Sequence, residues 1–124
     1  MKVAISTWYG NISPVFDVSR HLLVMDIERG EEVSRREEEI HETELPRRAE
    51  HITRLGVDVL ICGAISWPLE RILVSAGVQV IPQTCGPVED VLLAFESGQL
   101  TERAFLMPGC WRRHRRRRGQ RRRG

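Results

Sequence analysis

No stretch of this 124-residue chain approaches the ~18 consecutive apolar residues that a membrane-spanning helix requires, so a bilayer protein is not expected. The start, Met1-Lys2-Val3-Ala4-Ile5-Ser6, reads as a strand. It has neither the long apolar segment nor the small-residue cleavage site of a secretory leader, and a cytoplasmic protein is expected. Cysteine is scarce: Cys62, Cys85 and Cys110 make an odd number, none in a Cys-x-x-Cys pair, which argues against a disulfide framework and against a self-sufficient zinc site. Catalytic signatures are missing as well. There is no Gly-x-Ser-x-Gly, no His-Glu-x-x-His and no Gly-x-x-x-x-Gly-Lys-Ser/Thr, so a binding protein is expected rather than an enzyme. Acid is absent from residues 111–124, which hold nine arginines; the other 110 residues carry ten Lys/Arg against 17 Asp/Glu, a balance of −7. The body is therefore acidic and lacks the basic face of a nucleic-acid-binding domain.

What is present reads as a single α/β domain over residues 1–106 with a disordered Arg-rich tail over 107–124. Lys2–Ser6 forms a first strand. A loop follows from Thr7 to Pro14, then an apolar strand near His21–Ile27 and a charged edge strand near Glu32–Glu37, the last two forming an antiparallel hairpin. Leu45, Ala49, Ile52 and Leu55 recur at helical spacing up to Gly56. The chain then alternates strand Val57–Ile61, a helix opened by Pro68, strand Val78–Ile81, and a helix from Pro87 to Gly98. The pattern predicts a five-stranded mixed sheet with about three helices: strands one, four and five parallel, the second antiparallel, the third at the edge.

Ligands of open α/β sheets bind beyond the carboxyl ends of the parallel strands. Three loops meet there in this reading, Thr7–Pro14, Cys62–Trp67 and Gln83–Pro87, and two of them carry a cysteine. Neighbouring strands lie about 4.8 Å apart, so Cys62 and Cys85 are expected as soft thiolate metal ligands facing one site; packing in the core is the alternative for either. Gly63 and Ser66, and Thr84 and Gly86, open helices whose free N–H groups suit an anion. Gly10, Asn11 and Arg20 complete the expected cofactor-contacting set, with Arg20 placed to pair either with an anionic ligand or with Asp17. Trp8 and Tyr9 either cover the site or anchor their loop. His41 and His51 are expected to be solvated, as is the acidic run Glu37-Glu38-Glu39 with Glu42 and Glu44.

The order Met1-Lys2-Val3-Ala4-Ile5, a loop glycine, Val15-Phe16 and Leu22–Ile27 resembles the dinitrogenase iron-molybdenum cofactor biosynthesis family. So do Leu55-Gly56-Val57-Asp58-Val59-Leu60-Ile61-Cys62-Gly63-Ala64-Ile65, Ala76-Gly77-Val78-Gln79-Val80 and Gly98-Gln99-Leu100. The resemblance spans about residues 1–105 and implies a small sheet with a ribonuclease-H-like motif. It also implies non-enzymatic carriage or storage of an iron–sulfur or molybdenum–iron–sulfur cluster or precursor, with cluster donor or acceptor proteins as partners. The alternative is an interaction module whose arginine tail binds RNA or an acidic protein; only in that reading, and only through the tail, would nucleic acid be a partner.

Overall fold

A computed structural model describes residues 1–97; the expected domain boundary at 106, the tail and Cys110 lie outside the described residues. The strands are β1 (Lys2–Trp8), β2 (Asn11–Ile12), β3 (His21–Glu28), β4 (Glu31–Glu39), β5 (Val59–Ile61) and β6 (Gln79–Ile81). The helices are α1 (Leu45–Arg54), α2 (Trp67–Ser75) and α3 (Val88–Glu96).

One sheet runs in the order β4-β3-β1-β5-β6. β1, β5 and β6 are parallel, and β3 is antiparallel to both β1 and β4. The expected mixed sheet, its parallel trio and its charged edge strand are all present. The strand count differs: β1 continues to Trp8 and doubles back into β2, giving six strands where five were expected. The turn responsible is Tyr9–Gly10, with φ of 50° and 82°. Two residues at positive φ make the type I′ turn that matches strand twist, but a tyrosine in its first position is a weak sequence signal.

Arg29–Gly30 repeats this turn between β3 and β4, with φ of 55° and 80°. Arginine carries a Cβ penalty there that asparagine largely avoids. Arg29→Asn is therefore expected to stabilise the fold by about 0.5 kcal/mol, read as a shift of the urea midpoint with unchanged slope.

Strand parity sorts the core into two layers. Ala4, Leu22, Val24 and Leu60 pack with Ala49 and Ile52 of α1 and Leu69 and Leu73 of α2. Val3, Ile5, Met25, Ile27, Val59 and Ile61 pack with Val88, Val91 and Leu92 of α3. Each central strand thus buries both faces, as parallel sheets require. Among the described residues no helix is long and apolar enough to cross a membrane.

Candidate functional site

The carboxyl ends of β1, β5 and β6 open onto loops that are stitched to one another through the backbone. Ser13 N–H donates to Ser6 O at 2.9 Å, Phe16 N–H to Ala64 O at 2.8 Å and Ala64 N–H to Pro14 O at 2.8 Å. On the α3 side, Ile12 N–H reaches Gly86 O and Val88 N–H reaches Gly10 O, each at 2.9 Å. Gly63 makes the first of these junctions possible. A Cβ there would lie 2.5 Å from the carbonyl oxygens of both Ser13 and Pro14, so no side chain fits.

This stitching takes up part of the expected anion cradle. The amides of Ala64 and Val88 already serve chain carbonyls. At α2, Ser66 N–H donates to Asp17 Oδ1 at 2.8 Å, so a carboxylate of the chain itself sits where an anionic ligand was expected. Asp17 is thus an N-terminal helix partner contributed from a distant loop, and the expected Arg20–Asp17 pair is not formed. Thr84 is also corrected: it is buried, and its hydroxyl turns to the carbonyls of Ile81 and Pro82 at 3.4 and 3.3 Å. The Ser66 hydroxyl is buried and has no hydrogen-bond partner among the described residues. Asn11 is exposed and donates from Nδ2 to Tyr9 O at 3.3 Å, closing its own turn.

Cys62 is the larger correction. It is 0% exposed and packs in the layer beneath α1 and α2. Burial, reinforced by the charges of Glu70 and Asp17, pushes its thiol up to about 12. It is therefore a protonated core residue, not a thiolate at the mouth. The expected Cys85 thiolate is corrected too: Cys85 is half-buried in the loop before α3 and is disulfide-bonded, and Thr84 N–H donating to Cys62 O at 3.0 Å shows that the two crossovers adjoin. The described residues contain no group of three or more His, Cys, Asp or Glu placed to hold a metal ion.

The state of Cys62 has two measurable consequences. Iodoacetamide should leave it unmodified at neutral pH until the chain unfolds, as peptide mass mapping would report. An unfolded thiol releases its proton near 9, whereas the folded one keeps it to about 12. Stability is therefore complete below about pH 9 and falls as pH rises from there toward 12.

What the mouth does offer is an apolar groove of about 500 Å³ lined by Trp8, Ser13, Pro14, Val15, Val18, Ser19 and Arg20. Trp8 is 52% exposed and Val18 75% exposed, values that mark unfilled apolar surface rather than core. Arg20 is the groove's one cation, and its side chain has no ion-pair partner among the described residues. The other side of Trp8 faces a hollow of about 300 Å³ with Thr7, Tyr9, Gly10, His21 and Glu37. Trp8 thus divides two recesses, and Tyr9, 85% exposed, packs edge-on against it with ring centroids 4.6 Å apart. Both rings are thus exposed beside these recesses and neither is packed in the core.

The groove's rim is held from below by Arg48 of α1, only 3% exposed. Its Nη2 donates to Phe16 O and Ser19 O, both at 2.7 Å, and its Nη1 to Glu42 O at 2.8 Å. The guanidinium carbon stands 5.3 Å from the centroid of the Phe16 ring. Burial pulls the Arg48 pKa down, opposed by the charges of Asp17 and Glu42. A buried hydroxyl bond, Ser6 Oγ to Ser19 Oγ at 2.8 Å, fixes the same segment to β1. Sequence reasoning missed Arg48, although Leu45, Arg48 and Ile52 share one helical face. His51 also departs from expectation: it is partly buried, with Nδ1 2.8 Å from Glu42 Oε1, and its bond holds the Glu42 carboxyl below its usual range. His41 is exposed and meets Glu39 at 3.0 Å.

A sheet of this order, with its mouth built from these loops, is found in known proteins. The sequence profile described as dinitrogenase iron-molybdenum cofactor matches residues 1–98. The chain belongs to that family. Among solved structures, the protein PH0822 is 25% identical over 80% of this chain and 91% of its own, with a TM-score of 0.75. A protein of Methanocaldococcus jannaschii, provisionally assigned as a dinitrogenase, is 25% identical over 82% of this chain and 92% of its own, with a TM-score of 0.66. The apo orange protein of Desulfovibrio gigas shares the fold at 18% identity, over 86% of this chain and 96% of its own, with a TM-score of 0.68. No protein of curated function matches the chain. Membership marks it as a small cofactor-related protein.

Proposed function

We propose that this protein is a non-catalytic carrier that receives an anionic iron–sulfur or molybdenum–iron–sulfur cluster, or a precursor of one, as cargo in the groove beside Trp8. The observation that carries this reading is the combination of exposed apolar walls with one cation that has no ion-pair partner among the described residues. Trp8, Val15 and Val18 present surface that a large, weakly hydrated, sulfide-faced guest can cover, and Arg20 supplies the charge that favours an anion. Gly10, on the other side of Trp8, leaves the hairpin tip without a side chain. Cys62 has no part in this reading, and Cys85 is not required by it. Handing the cargo on would be the task of donor or acceptor proteins that dock at the same mouth.

The test is anaerobic titration of the full chain with iron, sulfide and molybdate, followed by visible absorption. The expected result is a stoichiometric chromophore whose affinity falls at least about tenfold in Trp8→Ala and in Arg20→Gln, the loss that ~1.4 kcal/mol produces. Cys62→Ser should bind normally wherever it remains folded. A chromophore that never forms, or one indifferent to both groove variants, would overturn the proposal.

A further inference from the structure

The groove occupies one side of Trp8. The hollow of about 300 Å³ on the other side has a different chemistry, set by strand parity. Leu23 pairs with Ile5 on one flank and with Glu37 on the other, and His21 pairs with Glu39. Residues two apart on a strand share a face. Thr7, His21 and Glu37 therefore continue, at the mouth, the face on which Ile5 and Met25 pack with α3. Past that core the face turns polar, and the Tyr9–Gly10 turn contributes to its wall.

Two walls of the hollow are aromatic. The Trp8 and Tyr9 rings stand at 73° to one another with centroids 4.6 Å apart, and both are exposed. His21 adds a third ring and Glu37 a carboxylate. The nearby cations are committed elsewhere. Arg35, two residues from Glu37 on the same face, is held by Glu32 at 2.6 Å and by Glu89 at 2.8 Å. Arg36 is held by Glu38 at 2.7 Å, and His41 lies 3.0 Å from Glu39. Glu37 has no ion-pair partner among the described residues.

This set of groups selects among guests. An anion would meet Glu37, with Glu39 on the adjoining row, in a domain whose residues 1–97 hold nine Lys/Arg against sixteen Asp/Glu. A metal ion would meet too few ligands, since the described residues contain no group of three or more His, Cys, Asp or Glu placed to hold one. A wholly apolar guest would strip water from the Glu37 carboxylate without pairing it. An organic cation suits every wall: aromatic faces attract its charge and cover its alkyl part, and the carboxylate accepts from its N–H groups.

From the Trp8–Tyr9 corner and the Glu37 carboxylate beside it, we infer that the hollow is a separate binding site for an alkylammonium group, with the alkyl part against the two rings and the ammonium toward Glu37. A free amine and a lysine side chain of a protein docking at the mouth present this same chemistry. The site shares Trp8 with the groove and requires no cluster to be bound there.

Nuclear magnetic resonance titration of the full chain, without iron, sulfide or molybdate, tests this. The probes are n-butylammonium chloride and Nα-acetyl-lysine methylamide, at an ionic strength held constant with sodium chloride. The Trp8 indole N–H and the Tyr9 ring protons should shift saturably, with a dissociation constant in the millimolar range that suits a site open to water. Tyr9→Asn removes the ring and suits the positive φ of the turn; it should weaken binding at least about threefold, as should Glu37→Gln at its exposed strand position. Tighter binding of the lysine amide assigns the site to a peptide lysine, and equal or tighter binding of n-butylammonium assigns it to a free amine. The neutral analogue n-butanol should produce no saturable shift. Absence of saturation with both ammonium probes overturns the inference. So does n-butanol binding as well as n-butylammonium, and so does unchanged affinity in either variant.

Discussion

Gly63→Ala should destabilise the protein by about 3 kcal/mol or more, a large share of the ~5–15 kcal/mol that keeps a domain folded. The new methyl carbon would stand 2.5 Å from Ser13 O and 2.5 Å from Pro14 O, both backbone atoms. A flexible side chain could swing aside from such a clash. Backbone carbonyls can move only by carrying their segment with them. The segment from Ser13 to Phe16 is fixed by Ala64 N–H to Pro14 O and Phe16 N–H to Ala64 O, both at 2.8 Å. Relief of the clash must stretch or break these bonds and open the groove's rim. Gly10→Ala is the control, since a Cβ there meets nothing within 4 Å and the cost is limited to its φ of +82°, about 1 kcal/mol. Urea unfolding of the two variants measures the contrast. Equal losses would show that close approach is not what Gly63 provides.

Arg48→Ala should cost about 3–5 kcal/mol, the range seen when one partner of a buried charged network is removed. Three carbonyl oxygens, those of Phe16, Ser19 and Glu42, lose a charged donor at 2.7–2.8 Å. The Phe16 ring loses its cation. Arg48→Met keeps most of the volume and restores none of the donors, so it should recover only the packing part, about 1 kcal/mol. Arg48→Lys, with a single ammonium in place of a planar fork, should fall between Arg48→Met and the natural chain. The same variants should weaken cargo capture, because the carbonyls that Arg48 holds belong to the segment presenting Val18 and Arg20. Circular dichroism melts and the anaerobic titration together separate the two effects. If Arg48→Met were as stable as the natural chain, the fork would have no structural role.

The regular elements were legible because they follow period and punctuation. Gly56 and Gly77 follow α1 and α2 at φ of +77° and +94°, where the sequence placed helix ends. The charge of β4 correctly marked an edge. The mouth was harder to read, since its form depends on contacts between residues far apart in the chain. Nothing local signals that Asp17 accepts from Ser66 N–H, 49 residues away. The inward turn of Cys62 was readable in principle: it shares strand parity with Leu60, which faces α1 and α2, and opposes Ile61, which faces α3. The expectation that it faced the mouth considered its position after β5 and neglected its parity. Arg48 gave the opposite difficulty, because its apolar helical neighbours placed it correctly while its charge argued for the surface.

The order in which these contacts can form bears on when the protein becomes competent. The β3–β4 hairpin closes through a two-residue turn and involves only neighbouring chain, so it can form within microseconds. The rim beside Trp8 has no such local origin. It waits for Arg48 to find Ser19 across 29 residues and for Ser66 to find Asp17 across 49, closures that come late because their loop entropy must be overcome first. A chain still emerging from the ribosome would thus own a sheet before it owned a receptacle, and loading would await the completed domain.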